Sequence, residues 1–497
     1  MEGWVHNRLL EVAERLDYCF TSQGMCHGMT MRWIEAAFVG ELNKFNERIN
    51  ILSGNVSEAD LTKMHELGIK MTQGEVPSAI DVEFITSLYQ DLHTQDLRLV
   101  EGIERAREKV RQHISLDSNE RDLLEIPAFF ESISIYSNPI RFTKIFDQKF
   151  SSKHSDLDSL SAFAGSAATV ASGHIMTLCS KPIMYTNEEM QAYLRELAQA
   201  IKDSGYSENV GFMGSQFTHS MGFVYNPNID EWSFLDINKW PIMTSISDIA
   251  STLVGARPYI SMYMSAMVLT HSEDEVLALK SALQQVNEDH DFTMEMAMRQ
   301  DQVNLVTLAA QHDDLVSVTK LCALSANLNP SGQRCSPFFI AAHKGHLECL
   351  KVLSSYGADI NQVDEKGVHP MWSAAFAGQA ETVLWLLKQP GIKVTPVERT
   401  VDEICQIGYL LEDNHPELLQ RFSDFFDNKI SPSIEGKSRE DGGETLCCVS
   451  LQDIAFIMGD DELASQLESK NMSIKEKLNK LRNDDSSEKP APNTPTL

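Results

Sequence analysis

The sequence predicts two unlike parts: a mixed α+β domain over about the first 290 residues, and an all-α repeat solenoid after it. Two observations carry this prediction. Between residues 336 and 375, two short motifs each recur at a spacing of 33 residues. Upstream, between residues 216 and 238, two strand-like runs are joined by a turn. The chain of 497 residues is long enough to build a core in each part.

The repeats are recognised by their spacing. Ser336-Pro337 is followed 33 residues later by His369-Pro370, and Ala341-Ala342 by Ala374-Ala375 at the same offset. This is the ankyrin period. A proline in the first helical turn costs no hydrogen bond, paired alanines let two helices pack closely, and Gly357 is expected to end a helix in the left-handed conformation. Unrelated amphipathic helices would not repeat two motifs in this way.

The predicted array extends from about residue 291 to 470 and contains about four repeats. Its first unit, residues 304–332, lacks the Thr-Pro element at its start and is interpreted as a cap. The last unit is degenerate, opens at residues 394–396 and is interrupted by an insertion at about 397–449. Residues 471–497 are polar and rich in proline, so we expect them to be disordered.

The charge balance limits the choice of partners. The chain has 71 Asp and Glu against 42 Lys and Arg, a net charge of -29. Such a surface repels phosphate backbones and anionic lipids, which argues against direct binding of nucleic acid or membranes and favours a protein partner. No run of 18 apolar residues occurs, and polar residues occupy the start of the chain where a signal peptide would be apolar. We therefore expect a soluble protein that does not use the general secretory route.

Nine cysteines are scattered along the chain, an odd count with no C-x-x-C spacing. This pattern predicts neither a disulfide framework nor a zinc site, and is typical of reduced thiols in a cytosol-like compartment. The sequence therefore predicts no metal and no cofactor.

One cysteine lies where a helix is predicted to begin. Residues 21–24 interrupt a helical apolar pattern, and the segment from Met25 to Ala37 starts a new helix that carries Cys26 in its first turn. A helix N-terminus favours the thiolate, the form that attacks carbonyls. A cysteine considered alone is more often a buried structural thiol, so further residues are needed to support catalysis.

A histidine and an aspartate lie in the two runs of the predicted hairpin. His219 lies in the strand-like run at residues 216–225, the turn lies at 226–228, and Asp236 lies in the next strand at 232–238. Antiparallel pairing can bring the two side chains together as a base and its orienting group. Each residue also has an ordinary interpretation. His219 could be a strand histidine without a role, and Asp236 could simply begin a turn.

These segments resemble the papain-like cysteine peptidases, closest to the YopT/AvrPphB group of bacterial effectors. The pattern is Gly-x-Cys-x-Gly around Cys26, Trp33 seven residues later, His219 before an apolar strand, and Phe-x-Asp ending at Asp236. The resemblance implies Cys26 as nucleophile, His219 as general base and Asp236 as orienter in a domain of residues 1–290. The sequence departs from the family in a predominantly helical insertion at about 40–148, and in having Gln23 only three residues before the cysteine.

Taken as a whole, the chain is similar to the ankyrin-repeat effectors of the AnkH type that Legionella secretes through a type IV system. This resemblance implies delivery into a host cell, with the host cytoplasm or nucleus as the destination. The leading hypothesis is an effector that binds a host protein through its repeats and acts on it with the Cys/His/Asp site. The alternatives are a non-catalytic interaction scaffold and an acyltransferase or deamidase that uses the same residues.

Partner contacts are expected on the ankyrin surface, at positions that do not define the repeat fold. For each such position, the alternative is an ordinary solvated face. Phe376 is favoured as an anchor, because exposed aromatic residues often serve that role at interfaces. The predicted contacts are Arg334, His343, Lys344, Lys366 and Phe376.

Overall fold

The computed structural model groups the chain into two compact units, Met1–Asn327 and Leu328–Leu497. The structure describes residues 4–18, 20, 24–72, 76–137, 139–142, 157–216, 219–239, 245–254, 257–301, 303–330, 335–365, 367–377, 379–392, 397–400 and 446–449.

The first unit begins with helices. Four of them, α3 to α6, fall within the segment predicted as a helical insertion. The longest, α5, starts with a capping box in which Ser78 and Asp81 satisfy each other's backbone N–H groups. The helices are α1 (Trp4–Arg15), α2 (Gly24–Phe38), α3 (Leu42–Leu52), α4 (Glu58–Thr72), α5 (Ala79–Arg111), α6 (Ser118–Ser137), α7 (Leu157–Ala164) and α8 (Ala167–Ala171).

A five-stranded antiparallel sheet forms the centre of the same unit, with the strand order β1-β5-β2-β3-β4. The hairpin predicted from the sequence is β3 and β4, in which Gly222 pairs with Leu235. The strands are β1 (His174–Tyr185), β2 (Val210–Ser215), β3 (Ser220–Asn226), β4 (Glu231–Leu235) and β5 (Ile260–Thr270). The described part of this unit is therefore a mixed α/β fold.

Helix α2 lies against β2 and β3 because glycines leave room for it. A Cβ atom at Gly222 would stand 2.7 Å from the Trp33 ring, and one at Gly211 would stand 2.6 Å from the Ile34 side chain. Both distances are shorter than van der Waals contact, so only glycine permits this approach. Trp33 and Ile34 are fully buried in the core beneath the sheet.

Four further helices surround the sheet: α9 (Asn187–Asp203), α10 (Ile246–Val254), α11 (Leu277–Asp289) and α12 (Met294–Met298). Arg299, which directly follows α12, links that helix to α9 and β1. Its guanidinium donates to both Glu189 carboxylate oxygens at 2.6 and 2.7 Å and to the Met184 carbonyl at 3.0 Å. Bidentate pairs of this kind fix orientation as well as adding energy.

The first repeat belongs to the first unit. Its helices, α13 (Leu305–Gln311) and α14 (Leu315–Ala323), follow Asn304, whose side chain caps α13 in place of the missing Ser-Pro. Helix α13 packs against β1 and β5. The Tyr263 ring stacks on His312 with centroids 4.2 Å apart, and its hydroxyl donates to Asp314 at 3.3 Å. The compact unit therefore ends at Asn327, beyond the repeat boundary predicted near residue 290.

The second unit contains two more helix pairs, α15 (Pro337–Lys344) with α16 (Leu347–Ser355), and α17 (Pro370–Phe376) with α18 (Ala380–Leu387). Pro337 occupies the first turn of α15, as predicted. Gly345 and Gly357 have φ values of 75° and 90°, so both adopt the left-handed conformation.

Asparagines connect successive turns of the repeat array. The Asn329 amide donates to the Gly357 carbonyl at 3.3 Å, and the Asn361 amide donates to the Gly391 carbonyl at 3.0 Å. The same kind of bond thus recurs in the next repeat.

Two short strands, β6 (Val397–Thr400) and β7 (Leu446–Val449), pair antiparallel at the two ends of the predicted insertion. Residues 401–445 between them, the closing helix pair predicted after Ser450 and the tail predicted at 471–497 lie outside the described residues.

We predict that Gly28→Ala destabilises the protein. Helix α2 touches α6 at this point, and the added Cβ would stand 2.4 Å from the Ile133 carbonyl oxygen, which belongs to backbone and cannot turn away. Overpacking of this kind costs about 1–3 kcal/mol, measurable by urea unfolding.

Gly102→Ala in α5 is the matched control, because its Cβ would meet only the end of the Leu123 side chain at 3.0 Å. Alanine is also the better helix former. Equal unfolding midpoints for the two variants would contradict the tight α2–α6 contact.

Candidate functional site

Cys26 is the third residue of α2 and is buried, with 2% of its surface exposed. Its helix is tied to the sheet close to the site, because the Thr30 hydroxyl donates to the Ser220 carbonyl at 3.2 Å. Ser220 directly follows His219. The same contact that seats the helix therefore also sets the distance between the thiol and the start of β3.

His219 and Asp236 meet at the open end of the β3–β4 hairpin. His219 precedes β3 and Asp236 follows β4, and His219 Nε2 lies 2.8 Å from Asp236 Oδ1. The Asn238 backbone N–H donates to the same carboxylate oxygen at 3.0 Å, which holds the carboxylate in place. The Asn238 side-chain nitrogen is 3.5 Å from His219 Nδ1. The aspartate therefore fixes the imidazole through Nε2.

The Cys26 thiol contacts two imidazoles. It hydrogen-bonds His219, and its Sγ lies 3.6 Å from His6 Nε2. Burial alone would raise the pKa of the thiol, but the hydrogen bonds from His219 and His6 outweigh burial and lower the pKa of Cys26 to about 7. A thiolate is therefore available near neutral pH.

His219 shows the complementary shift. Burial alone would lower its pKa, but hydrogen bonds to Asp236 and Cys26 raise the pKa of His219 to about 10. Between about pH 7 and pH 10 the stable form is consequently a thiolate beside an imidazolium. Such a pair combines a charged nucleophile with a proton donor for the leaving group, which is what attack on an acyl carbon requires.

The structure brings Cys26, His219 and Asp236, the three residues predicted to be catalytic, into one cluster. It adds two residues that sequence reasoning missed, His6 and Asn238. Asn238 follows Asp236 by two residues and could have been suspected from that proximity. His6 stands 20 residues before Cys26, and its only sequence signal is a polar position in an amphipathic helix.

The predicted ankyrin contacts remain predictions. His343 is exposed near the end of α15, with its Nδ1 3.1 Å from the Ser373 hydroxyl, and Lys344 is half-buried. Phe376 ends α17, but its side chain lies outside the described residues, as do Arg334 and Lys366.

Among the described residues, no group of three or more His, Cys, Asp and Glu side chains is arranged to hold a metal ion. Within the same ranges, every helix is too short or too polar to cross a bilayer.

Comparison with known proteins identifies the repeats. Residues 294–397 match the family model for ankyrin repeats in three copies. Human protein phosphatase 1 regulatory subunit 27 is 31% identical over 97 residues, which is 20% of this chain and 59% of that protein. The chain thus spans about three fifths of that relative. Ankyrin repeats are therefore present, and repeats of this kind indicate binding to other proteins.

We predict that iodoacetamide alkylation of Cys26 rises through a midpoint near pH 7, because only the thiolate reacts. His219→Ala removes a hydrogen bond that stabilises the thiolate, so the midpoint should move upward and the rate at pH 7 should fall. Mass spectrometry of alkylated peptides measures both quantities.

Other thiols of the chain provide the internal control. Burial raises the pKa of Cys179 to about 12 and that of Cys322 to about 11, so both should react slowly at pH 7. If the midpoint for Cys26 lay at or above the ordinary cysteine value of 9.0, the proposed thiolate–imidazolium pair would be wrong.

Proposed function

We propose that this protein binds a protein partner through its ankyrin repeats and carries out cysteine-dependent acyl transfer on that partner. One observation carries the chemical part of the proposal. Cys26 in α2, His219 before β3 and Asp236 after β4 form one chain of hydrogen bonds, in which the pKa of the thiol falls to about 7.

The geometry supports a definite sequence of events. The Cys26 thiolate attacks an amide carbonyl carbon, and a carbon–sulfur bond forms while the carbonyl electron pair moves to oxygen. His219 Nδ1 gives its proton to the departing amine, because Nε2 is held by Asp236. The resulting thioester is then released by water or by another nucleophile. Release by water would make the protein a peptidase or a deamidase, and release by an amine would make it an acyltransferase.

We also propose that the partner is a host protein and that this chain is a translocated effector, active in the host cytoplasm or nucleus. The support is the resemblance to secreted ankyrin-repeat effectors with papain-like domains. The human relative is named as a regulatory subunit of protein phosphatase 1, and its match lies in the repeats. That match supports protein binding and is not extended to a phosphatase partner.

A second candidate function is a scaffold that sequesters its partner without turnover. The observation that favours it is the burial of the nucleophile: Cys26 is 2% exposed and Asp236 is 8% exposed. A substrate amide must reach the sulfur atom, whereas a binding protein has no such requirement.

Incubating the full chain with host lysate should change specific proteins, producing new N-termini, deamidated glutamines or acylated amines. Cys26→Ala should abolish these changes, because it removes the nucleophile, and Cys322→Ala should preserve them, because Cys322 lies in the repeats. Quantitative peptide mass spectrometry measures all three products.

A double variant, His343→Ala with Lys344→Ala, separates binding from chemistry. It should slow modification of the folded partner while leaving alkylation of Cys26 unchanged. If no product depended on Cys26, and Cys26 alkylated no faster than Cys322, the scaffold would be the better description.

Delivery can be examined with the chain fused to a calmodulin-dependent adenylate cyclase reporter and expressed in an intracellular bacterium with a type IV secretion system. The proposal predicts a rise in host cyclic AMP that disappears in a strain lacking that system. An equal signal from both strains would contradict translocation by this route.

A further inference from the structure

Helix α1 places a second imidazole beside the nucleophile. His6 is buried, with 6% of its surface exposed, and its Nε2 lies 3.6 Å from Cys26 Sγ. The base and its orienting group are already supplied by His219 and Asp236. The mechanism above therefore leaves His6 without a role.

The position of His6 is fixed by its helix. The same face of α1 buries Leu9 and Val12, and Arg8 on this helix donates to Asp96 of α5 at 2.9 Å. Helix α1 also packs against the short helix Ile237–Lys239, which directly follows Asp236. His6 is thus held by elements that also support the catalytic carboxylate, as expected for a built part of the site.

His6 and His219 differ in their hydrogen-bond partners, and this difference indicates the role of His6. Asp236 accepts from His219 and stabilises its protonated form, whereas among the described residues no carboxylate is hydrogen-bonded to His6. Because a thiolate can only accept a hydrogen bond, the His6 Nε2 atom that lies beside it is placed to donate one. In the resting enzyme the acceptor of that bond is the Cys26 thiolate.

The geometry points to His6 as the donor that stabilises the oxyanion when Cys26 attacks an acyl carbon, an inference that rests on the proposed function. During the attack, negative charge leaves sulfur and develops on an oxygen two bonds away. A donor 3.6 Å from Sγ is within reach of that oxygen, since effective donors lie about 2.7–3.1 Å from the oxyanion. The Nε2–H group follows the charge from the thiolate to the oxyanion.

Two reactions of the same thiol separate this role from activation of the nucleophile. With p-nitrophenyl acetate, the thiolate adds to the carbonyl carbon, the oxyanion forms and collapses, the carbon–oxygen bond to p-nitrophenolate breaks, and an acetyl thioester remains. With iodoacetamide, the thiolate displaces iodide in one step and no oxyanion forms. Both rates scale with the thiolate fraction, so their ratio cancels a change in that fraction.

The test uses the full chain, with both rates measured at Cys26 by mass spectrometry. His6→Ala should lower the ratio of acylation to alkylation by about 10²-fold, the effect of removing one oxyanion donor. His6→Gln retains an N–H donor and should restore at least about tenfold of that loss. His219→Ala should slow both reactions. A urea-unfolding midpoint close to that of the wild type shows that the His6 variants are still folded.

An unchanged ratio in His6→Ala, whether both rates fall equally or neither falls, would overturn the role of His6 and leave the proposed function standing. A ratio that falls equally in His6→Ala and His6→Gln would also overturn it, because the N–H donor would then be irrelevant. If wild-type Cys26 reacted with both reagents no faster than Cys322, both the oxyanion role and the proposed function would fail.

Discussion

The site depends on how closely helix α2 approaches the sheet. Gly222 leaves space for the Trp33 ring, Gly211 leaves space for Ile34, and Thr30 bonds to the first residue of β3. A larger side chain on either strand would push the helix outward and carry Cys26 away from His219. The geometry of the site therefore depends on the absence of side chains at Gly211 and Gly222, as well as on its polar residues.

Burial and charge oppose each other at this site. Burial raises the free energy of both a thiolate and an imidazolium, so neither charged form would be stable in this buried site without the other. The two charges stabilise each other, and Asp236 extends the network to a carboxylate. Such a network is cooperative, because deleting any member leaves a buried charge with fewer partners. The same burial that strengthens the hydrogen bonds also limits access to the sulfur atom.

Sequence reasoning succeeded where the signal was local. The turn at Gly357, the helix that carries Cys26 and the hairpin between His219 and Asp236 follow from neighbouring residues, through backbone conformation and apolar period. The strand order could not be predicted from the sequence, because β1 and β5 are neighbours in the sheet although β1 ends at Tyr185 and β5 begins only at Ile260. His6 was missed for the same reason, since only tertiary packing brings α1 to the thiol.

Tyr263 of β5 contacts His312 and Asp314, so the first ankyrin repeat is part of the same packed unit as the sheet. The family match for the repeats begins at residue 294, but the first repeat packs against the sheet and belongs to the first unit. A truncated protein that starts near residue 291 would expose the apolar surface of α13 to solvent. One that ends near residue 291 would expose the parts of β1 and β5 that α13 covers. Swapping this array for another would require redesign of the sheet as well as a new linker.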